Sequence, residues 1–445
     1  MNENNQFKKY GADKIAFLGM FILAVFIARF LVSSKSGLEF SEPVELTHAS
    51  LSVSMPTGKY WQSVEQWVYD DDAFVLSSKL ITNPMATKQL YPDAAVYCKY
   101  FLKTRFISPK SLIRKRLGDI EENKIVTNRI QKDNLTINWA RVNEPLSIIE
   151  AVIDLPDNRV FVVEIVETSI VLDLAQEILQ HVIDSLSFEE DNLVKTGANF
   201  ITDIKSKGID SLIDSSNVVS CFFYKNDEKK NVGYTIDMLG FLNSDRDFKI
   251  RGASDFVGSN GQHYKTLFRC DEPLDNFIWE GQTNTIALRQ TGQIFSNNET
   301  GTIVFKDHEM ITVSQKGTGK TRIHLNCSNV VPSILLESLI RPAIRSDINE
   351  AVIDVVNSSG EITPTLLSIQ VADKPREGYS YIVTLESLDG NNSPEKFYLD
   401  RSLRIIKGDG IYSLERTDLD KIEEEYPGTT GDIKEQLKLL DSYAI

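Results

Sequence analysis

The residues of this chain that could do chemistry are scattered rather than gathered. Gly317-Thr318-Gly319-Lys320-Thr321 comes nearest to a phosphate-cradling loop. The full motif needs a glycine at 314, where Ser314 stands, and the run lies between two strand-like segments. A hairpin turn is therefore the expected structure. The five histidines, His48, His181, His263, His308 and His324, show no spacing that would put two imidazoles on one helix face against a zinc ion. His181 falls inside a helical stretch and reads as structural, and Asp307-His308-Glu309 reads as a solvated turn. Asp70-Asp71-Asp72 has no calcium-loop spacing, and adjacent carboxylates on a strand point apart, so it reads as a polar turn. Gly252-Ala253-Ser254-Asp255-Phe256 lacks the second glycine of a nucleophile elbow. Ser393 to Lys396 is a serine–lysine match that falls in a turn and is expected by chance. No catalytic, cofactor-binding or metal-ligating set is expected, and no cofactor.

One run departs from its background. From Ala94 to Gly118 there is no acidic residue, yet Lys99, Lys103, Arg105, Lys110, Arg114, Lys115 and Arg116 are all present. Such a stretch can face anionic lipid headgroups or an acidic partner. The alternative is a solvated helix face paired to neighbouring acids. These seven residues are the candidate membrane or partner contact.

The elements that would position them follow from charge and hydrophobic pattern. Residues 1–34 carry a net +2, from Lys8, Lys9, Lys14 and Arg29 against Glu3 and Asp13, and the rest of the chain carries −17 of the overall −15. So acidic a body argues against nucleic acid, whose binding is dominated by phosphate neutralisation. Ile15–Val32 is an 18-residue apolar run broken only by Arg29 near its end. That length just crosses a bilayer, and the preceding lysines put the N-terminus in the cytoplasm. The expected organisation is a cytoplasmic tail at 1–14, a transmembrane helix at 15–33 and a linker at 34–46, with everything beyond it periplasmic or extracellular. A cleaved signal peptide ending near Val32-x-Ser34 is the rival reading; it places the same residues outside. The four cysteines, Cys98, Cys221, Cys270 and Cys327, form no C-x-x-C. Among them Cys221, Cys270 or Cys327 can pair in an oxidising compartment, or all can be buried thiols.

The fold class expected is α+β. A first module spans 47–192. Strands are expected at 51–55, 66–69 and 73–81, helices at Asp93–Phe106 and Ser108–Leu117, and strands at 124–131, 135–142, 148–155 and 159–166. Pro156-Asp157-Asn158 turns between the last two. An amphipathic helix at Leu172–Leu186 closes it. The second module spans 199–445. It opens with a helix at Phe200–Ile213 and is then dense in short strands, among them 276–279 and 285–290. A helix at Pro332–Ile340 is expected to stop at Pro342. The close is helical, with Thr417-x-x-Asp420 as a capping-box variant and Ile433, Leu437 and Leu440 as an apolar face. An antiparallel sheet or open barrel is expected for this module.

Met55-Pro56-Thr57-Gly58-Lys59-Tyr60-Trp61 after a first strand, and a final helix running into Ser185-Leu186-Ser187-Phe188, resemble the PsbP-like α/β sandwich superfamily over about residues 47–190. That resemblance implies a scaffold for accessory and binding proteins and brings no catalytic residue. More weakly, Asn276–Trp279 with the hairpins after it, and Tyr398-Leu399-Asp400 with Glu415-Arg416-Thr417, are similar to LolA-like unclosed β-barrels of bacterial envelopes. That resemblance implies a sheet able to hold an apolar ligand. The expected function is that of a membrane-tethered, non-enzymatic envelope protein that binds protein partners. The alternative is an envelope carrier or sensor of a lipid or other apolar ligand.

Overall fold

In the segment 147–167 two apolar strands run back to back across Pro156-Asp157-Asn158, and they form the centre of the first unit. Asp157 and Asn158 take left-handed backbone (φ 55° and 56°), which their residue types tolerate best after glycine, and Leu155 pairs Arg159 across the turn. The computed structural model describes residues 38–427 except 71, 82–91, 104–105, 145, 168–173, 191, 208–218, 242–249, 258–262, 271–276, 289–293, 307–308, 315–320, 325–328, 357–360, 373–377, 391–392 and 411–412. The apolar run 15–33 and the closing stripe at Ile433, Leu437 and Leu440 lie outside the described residues. No helix among those described is long and apolar enough to cross a membrane.

The protein is mixed α+β with mostly antiparallel sheets and few helices. It divides into two compact units, Met1–Leu102 with Phe106–Glu189, and Lys103–Arg105 with Glu190–Ile445. In the first unit the strands are β1 (Glu39–Phe40), β2 (Val44–Leu46), β3 (Leu51–Val53), β4 (Pro56–Thr57), β5 (Trp61–Ser63), β6 (Val68–Asp70), β7 (Ala73–Leu80) and β8 (Ala94–Leu102). They continue with β9 (Val126–Lys132), β10 (Leu135–Val142), β11 (Ser147–Leu155), β12 (Arg159–Glu167) and β13 (Ser187–Phe188). The main sheet is antiparallel in the order β5-β7-β8-β12-β11-β10-β9, with β6 also on β7. A small sheet β13-β3-β2 and the pair β1-β4 complete it.

The expectation of a helix over Asp93–Phe106 is corrected: Ala94–Leu102 is β8, between β7 and β12. A central strand is covered on both faces, so Ala94, Ala95, Val96, Cys98 and Tyr100 are all buried and the two-residue alternation that marks a half-exposed strand is blurred.

Two helices cover opposite faces. Helix α1 (Pro109–Leu117) lies on β10 and β11, and helix α2 (Ala175–Ser185) on β11 and β12. Val160, Val162 and Val166 of β12 face Leu112 and Ile113 of α1. Phe161, Val163 and Ile165 point the other way by strand alternation and are fully buried beneath α2 and the small sheet. The sheet's own side chains hold both ends of α2. Buried Glu167 Oε1 accepts from the Leu174 amide (2.6 Å) at the positive end. At the negative end Lys132 Nζ donates to the carbonyls of Ile183 (2.6 Å), Asp184 (2.9 Å) and Leu186 (2.6 Å). Each charge has the sign the helix dipole favours. On the outer side of α2, Phe40 stacks on His181 with ring centroids 3.5 Å apart, so the chain comes into the unit over α2.

The second unit opens with α3 (Leu193–Lys207), which starts earlier than the expected Phe200. Its strands are β14 (Val219–Lys225), β15 (Asn231–Phe241), β16 (Ile250–Val257), β17 (His263–Cys270), β18 (Phe277–Leu288), β19 (Ile294–Lys306), β20 (Glu309–Ser314) and β21 (Thr321–His324). After them come β22 (Val330–Pro332), α4 (Leu336–Arg345), β23 (Glu350–Val356), β24 (Ile362–Val371), β25 (Tyr381–Ser387), β26 (Glu395–Leu399), β27 (Ile405–Asp409), β28 (Ser413–Thr417) and α5 (Leu419–Glu425). All strands join one fifteen-stranded path, β21 to β14 by successive hairpins, then β28 to β22, closed in the middle by β14 on β28. Among the described residues only β22 on β23 is parallel.

Three local expectations are corrected here. The two strands expected at 276–279 and 285–290 are one long strand, β18, paired along its whole length with β19. Helix α4 does not stop at Pro342 but carries it inside, because Leu339, Ile340, Pro342 and Ala343 form one buried stripe whose burial outweighs one lost hydrogen bond. Asp418, not Thr417, caps α5, accepting from the Lys421 amide at 2.9 Å. Helix α3 packs tightly on β23: a Cβ on Gly197 would lie 1.8 Å from the Val352 carbonyl oxygen.

Candidate functional site

The candidate basic residues do not share one element. Lys99 is on β8, and Lys110, Arg114, Lys115 and Arg116 are on α1. Lys103 is half-buried and already partnered, and Arg105 lies outside the described residues. Helix α1 forms here because Ser108 caps it: the Ser108 hydroxyl accepts from the Ser111 amide (3.2 Å), and Ser111 Oγ accepts from the Ser108 amide (3.0 Å). Pro109 occupies the first turn, and Gly118 ends the helix at φ +77°. Arg114, Lys115 and Arg116 crowd the last turn, where the dipole favours positive charge. Leu112 and Ile113 seat the helix on the sheet.

Outward, Lys110 and Arg114 both grip Glu122, and its carboxyl sits below the usual range mainly through the hydrogen bond from Lys110. Lys115 is exposed and meets no acid among the described residues. Phe106, just before the cap, is 81% exposed. The outward face of α1 thus carries Lys110 and Arg114, both held by Glu122, and Lys115, beside a bare aromatic ring.

Inward lie two buried acids that no sequence motif marks. Glu150 of β11 and Glu164 of β12 stand directly opposite each other, 2% and 5% exposed. Like charges in that position ordinarily destabilise a sheet. Glu164 is paired twice, with Lys99 Nζ (3.1 Å) and with Arg116 of α1. Glu150 Oε2 has no hydrogen-bond partner among the described residues, and burial pushes its carboxyl up to about 7, with Arg116 and Lys99 pulling the other way. A signal was present in the sequence: Ile148-x-Glu150-x-Val152 and Val162-x-Glu164-x-Val166 each put one acid on an otherwise apolar strand face. Only the register between the strands shows that the two meet.

On the opposite face, a groove of about 670 Å³ is lined among others by Glu42, Val44, Glu45, His48, Glu65 and Trp67. The Trp67 indole donates to the Val44 carbonyl at 3.2 Å. Burial, helped by Arg159, holds the His48 imidazole down at about 4. In the second unit a groove of about 580 Å³ is lined mostly by polar residues, including Thr196, Asp347, Asn349, Ser368 and Gln370.

The remaining expectations are placed as follows. Asp70 pairs Ala73 at the end of the β6–β7 hairpin, and Asp71 of the aspartate run lies outside the described residues. Strands β20 and β21 pair antiparallel on either side of 315–320, which lies outside the described residues, as does 307–308 between β19 and β20. No group of three potential metal ligands occurs among the described residues. Cys98 and Cys221 are buried; burial pushes the Cys98 thiol up, and its Sγ lies 3.6 Å from Met55 Sδ.

No family model matches the sequence, and no curated protein is similar to it. Among solved structures the chain is similar to a β-barrel-like protein of domain of unknown function DUF1849 from Brucella abortus. The TM-score is 0.31 and the identity 13%, over 45% of this chain and 96% of that one. At that score the likeness decides nothing about this chain.

Proposed function

We propose that this is a membrane-tethered envelope protein whose first unit binds an acidic protein partner through the outward face of α1, without catalysing a reaction. The single observation that carries the reading is that face: Lys110, Arg114 and Lys115 with Glu122 alone ion-paired to them among the described residues, on a chain that is otherwise strongly acidic. Phe106 supplies the kind of exposed aromatic ring that anchors protein interfaces. A partner is favoured over the tethering membrane because the chain comes in over α2, where Phe40 stacks on His181, and α1 lies on the other side of the sheet. The apolar run at 15–33 is the proposed tether, with residues from about 34 onward periplasmic or extracellular. The PsbP-like sandwich for the first unit and the LolA-like open barrel for the second belong to the same proposal, as scaffolds that present surfaces. The alternative role is that of an envelope carrier or sensor of a lipid or other apolar ligand held in the second unit.

The test is to purify the full chain from membranes in detergent, with and without the charge reversal Lys110→Glu, Arg114→Glu and Lys115→Glu, and to quantify co-eluting proteins. The reading expects an acidic protein that is lost on reversal and lost in high salt. An unchanged, salt-insensitive set of partners would overturn it.

A further inference from the structure

The two buried glutamates sit where α1 covers the sheet. Leu112 packs on Val152, Val160 and Val162, and Ile113 packs on Ala140, Ile148 and Val166, so the two residues straddle Glu150 along its own strand. From β12 Glu150 meets Glu164; from β8 come Lys99 and Tyr97; from α1 comes Arg116; β10 offers Ala140 directly opposite and no charge. One row further off are Asp154 on the same strand and Lys79 on β7, whose ammonium lies over the Tyr97 ring at 5.9 Å. Both nearby cations already belong to Glu164. An ionised Glu150 would therefore be a second buried carboxylate with neither a hydrogen bond nor a cation of its own, next to a like charge.

We propose that the Glu150–Glu164 pair is a proton-linked latch for α1: one proton on the pair keeps the helix seated, and its loss favours a state in which α1 lifts and water reaches Glu150. This rests on the reading of α1 as the binding face and names the regulation of that face. The direction follows from linkage. With α1 seated, burial holds Glu150 up at about 7; hydrated, it returns to its ordinary value of 4.5. The lifted state thus binds fewer protons, and rising pH populates it. Arg116 opposes the effect, because its charge steadies an ionised Glu150 while the helix is seated. Lifting would release Arg116 from Glu164 and leave Glu164 with Lys99. It would also tilt away from the sheet the helix that presents Lys110, Arg114 and Lys115.

Hydrogen exchange of the full chain in detergent, read on peptides covering 109–118 and corrected for intrinsic rates, tests this at pH 5.5 and 8.5. Protection of α1 is expected to fall about 30-fold over that range and to stay below that of β10 and β12 throughout, as a local opening requires. Glu150→Gln, which keeps the shape and cannot ionise, should hold protection constant. Arg116→Gln should move the transition to higher pH. An α1 protection that stays within about twofold in the unmodified chain, the same fall in Glu150→Gln, or an α1 protection equal to that of β10 and β12 at every pH would each overturn the latch. The readout involves no partner, so a latch that works while charge reversal leaves partner binding unchanged would sink the binding reading alone.

Discussion

Replacing Lys132 by methionine keeps the aliphatic stem and removes the ammonium that closes the C-terminal end of α2. The three N–H groups of that ammonium meet three carbonyls, those of Ile183, Asp184 and Leu186, at 2.6 to 2.9 Å. Helix α2 has no basic residue of its own in the last turn, so Lys132 is the positive charge at that end of its dipole. Hydrogen bonds from a charged donor are worth roughly 1.5–3 kcal/mol each when their partners are left unsatisfied. Here the carbonyls are at a helix end within reach of water, and part of that loss is recovered. The helix-terminal charge adds about 0.3–1 kcal/mol. Together these give a loss of about 2–3 kcal/mol for Lys132→Met. For a unit of this size that lowers the melting temperature by roughly 5–10 °C. Calorimetry of the full chain, following the transition that Lys132→Met moves, is the assay. Because Phe40 rests on His181 of α2, the loosened helix should also expose the segment around Phe40 to a protease. A shift of under about 1 °C with Phe40 still protected would show that the three contacts are incidental and the reasoning wrong.

Other outcomes follow from the same packing and charge arguments. Gly197→Ala should cost the second unit about 3 kcal/mol or more in denaturant unfolding, because the new Cβ would sit 1.8 Å from a backbone oxygen that cannot rotate away and α3 would have to shift; a neutral result would mean α3 is loosely held. Glu150 and His48 pull the stability of the first unit in opposite directions over nearly the same pH window. Glu150 is raised in the folded state, so its contribution is full below 4.5 and is lost as pH rises through about 7, to a limit of roughly 3 kcal/mol. His48 is depressed, so its contribution is full above 6.5 and is lost as pH falls through about 4. The two slopes largely cancel where the windows overlap, so denaturant titrations should show Glu150→Gln unmasking a rise in stability with pH and His48→Gln unmasking a fall; the same profile in both variants would contradict the assignment.

Much of the first unit was legible because its outer strands obey alternation and its turns carry strong local chemistry. Asp157 and Asn158 announce the hairpin that brings β11 and β12 together, and Ser108 with Pro109 announces α1. Strand β8 was not legible as a strand, since a segment buried on both faces loses the period that separates strand from helix. That misreading also merged Lys99 with the cations of α1 as though they shared a face. In the structure Lys99 comes up from the sheet to Glu164, and Arg116 comes down from the helix to the same carboxylate. The Glu150–Glu164 pair was out of reach for another reason. Each acid is visible as an oddity on its strand, but their meeting depends on strand register, and the cost of their meeting depends on the helix above them. In the second unit the turn signals placed most strands, while β18 was broken in two by the polar run Glu280-Gly281-Gln282-Thr283-Asn284, which pairs with β19 as regularly as its apolar ends do.

Photo-crosslinking in living cells, with the reactive side chain placed in turn at Phe106, at Lys115 and at Gln180 on α2, tests the binding face most directly. The account predicts adducts to one acidic protein from Phe106 and Lys115 and none of that mass from Gln180. Adducts to lipid alone at Phe106 and Lys115, or protein adducts only from Gln180, would contradict it.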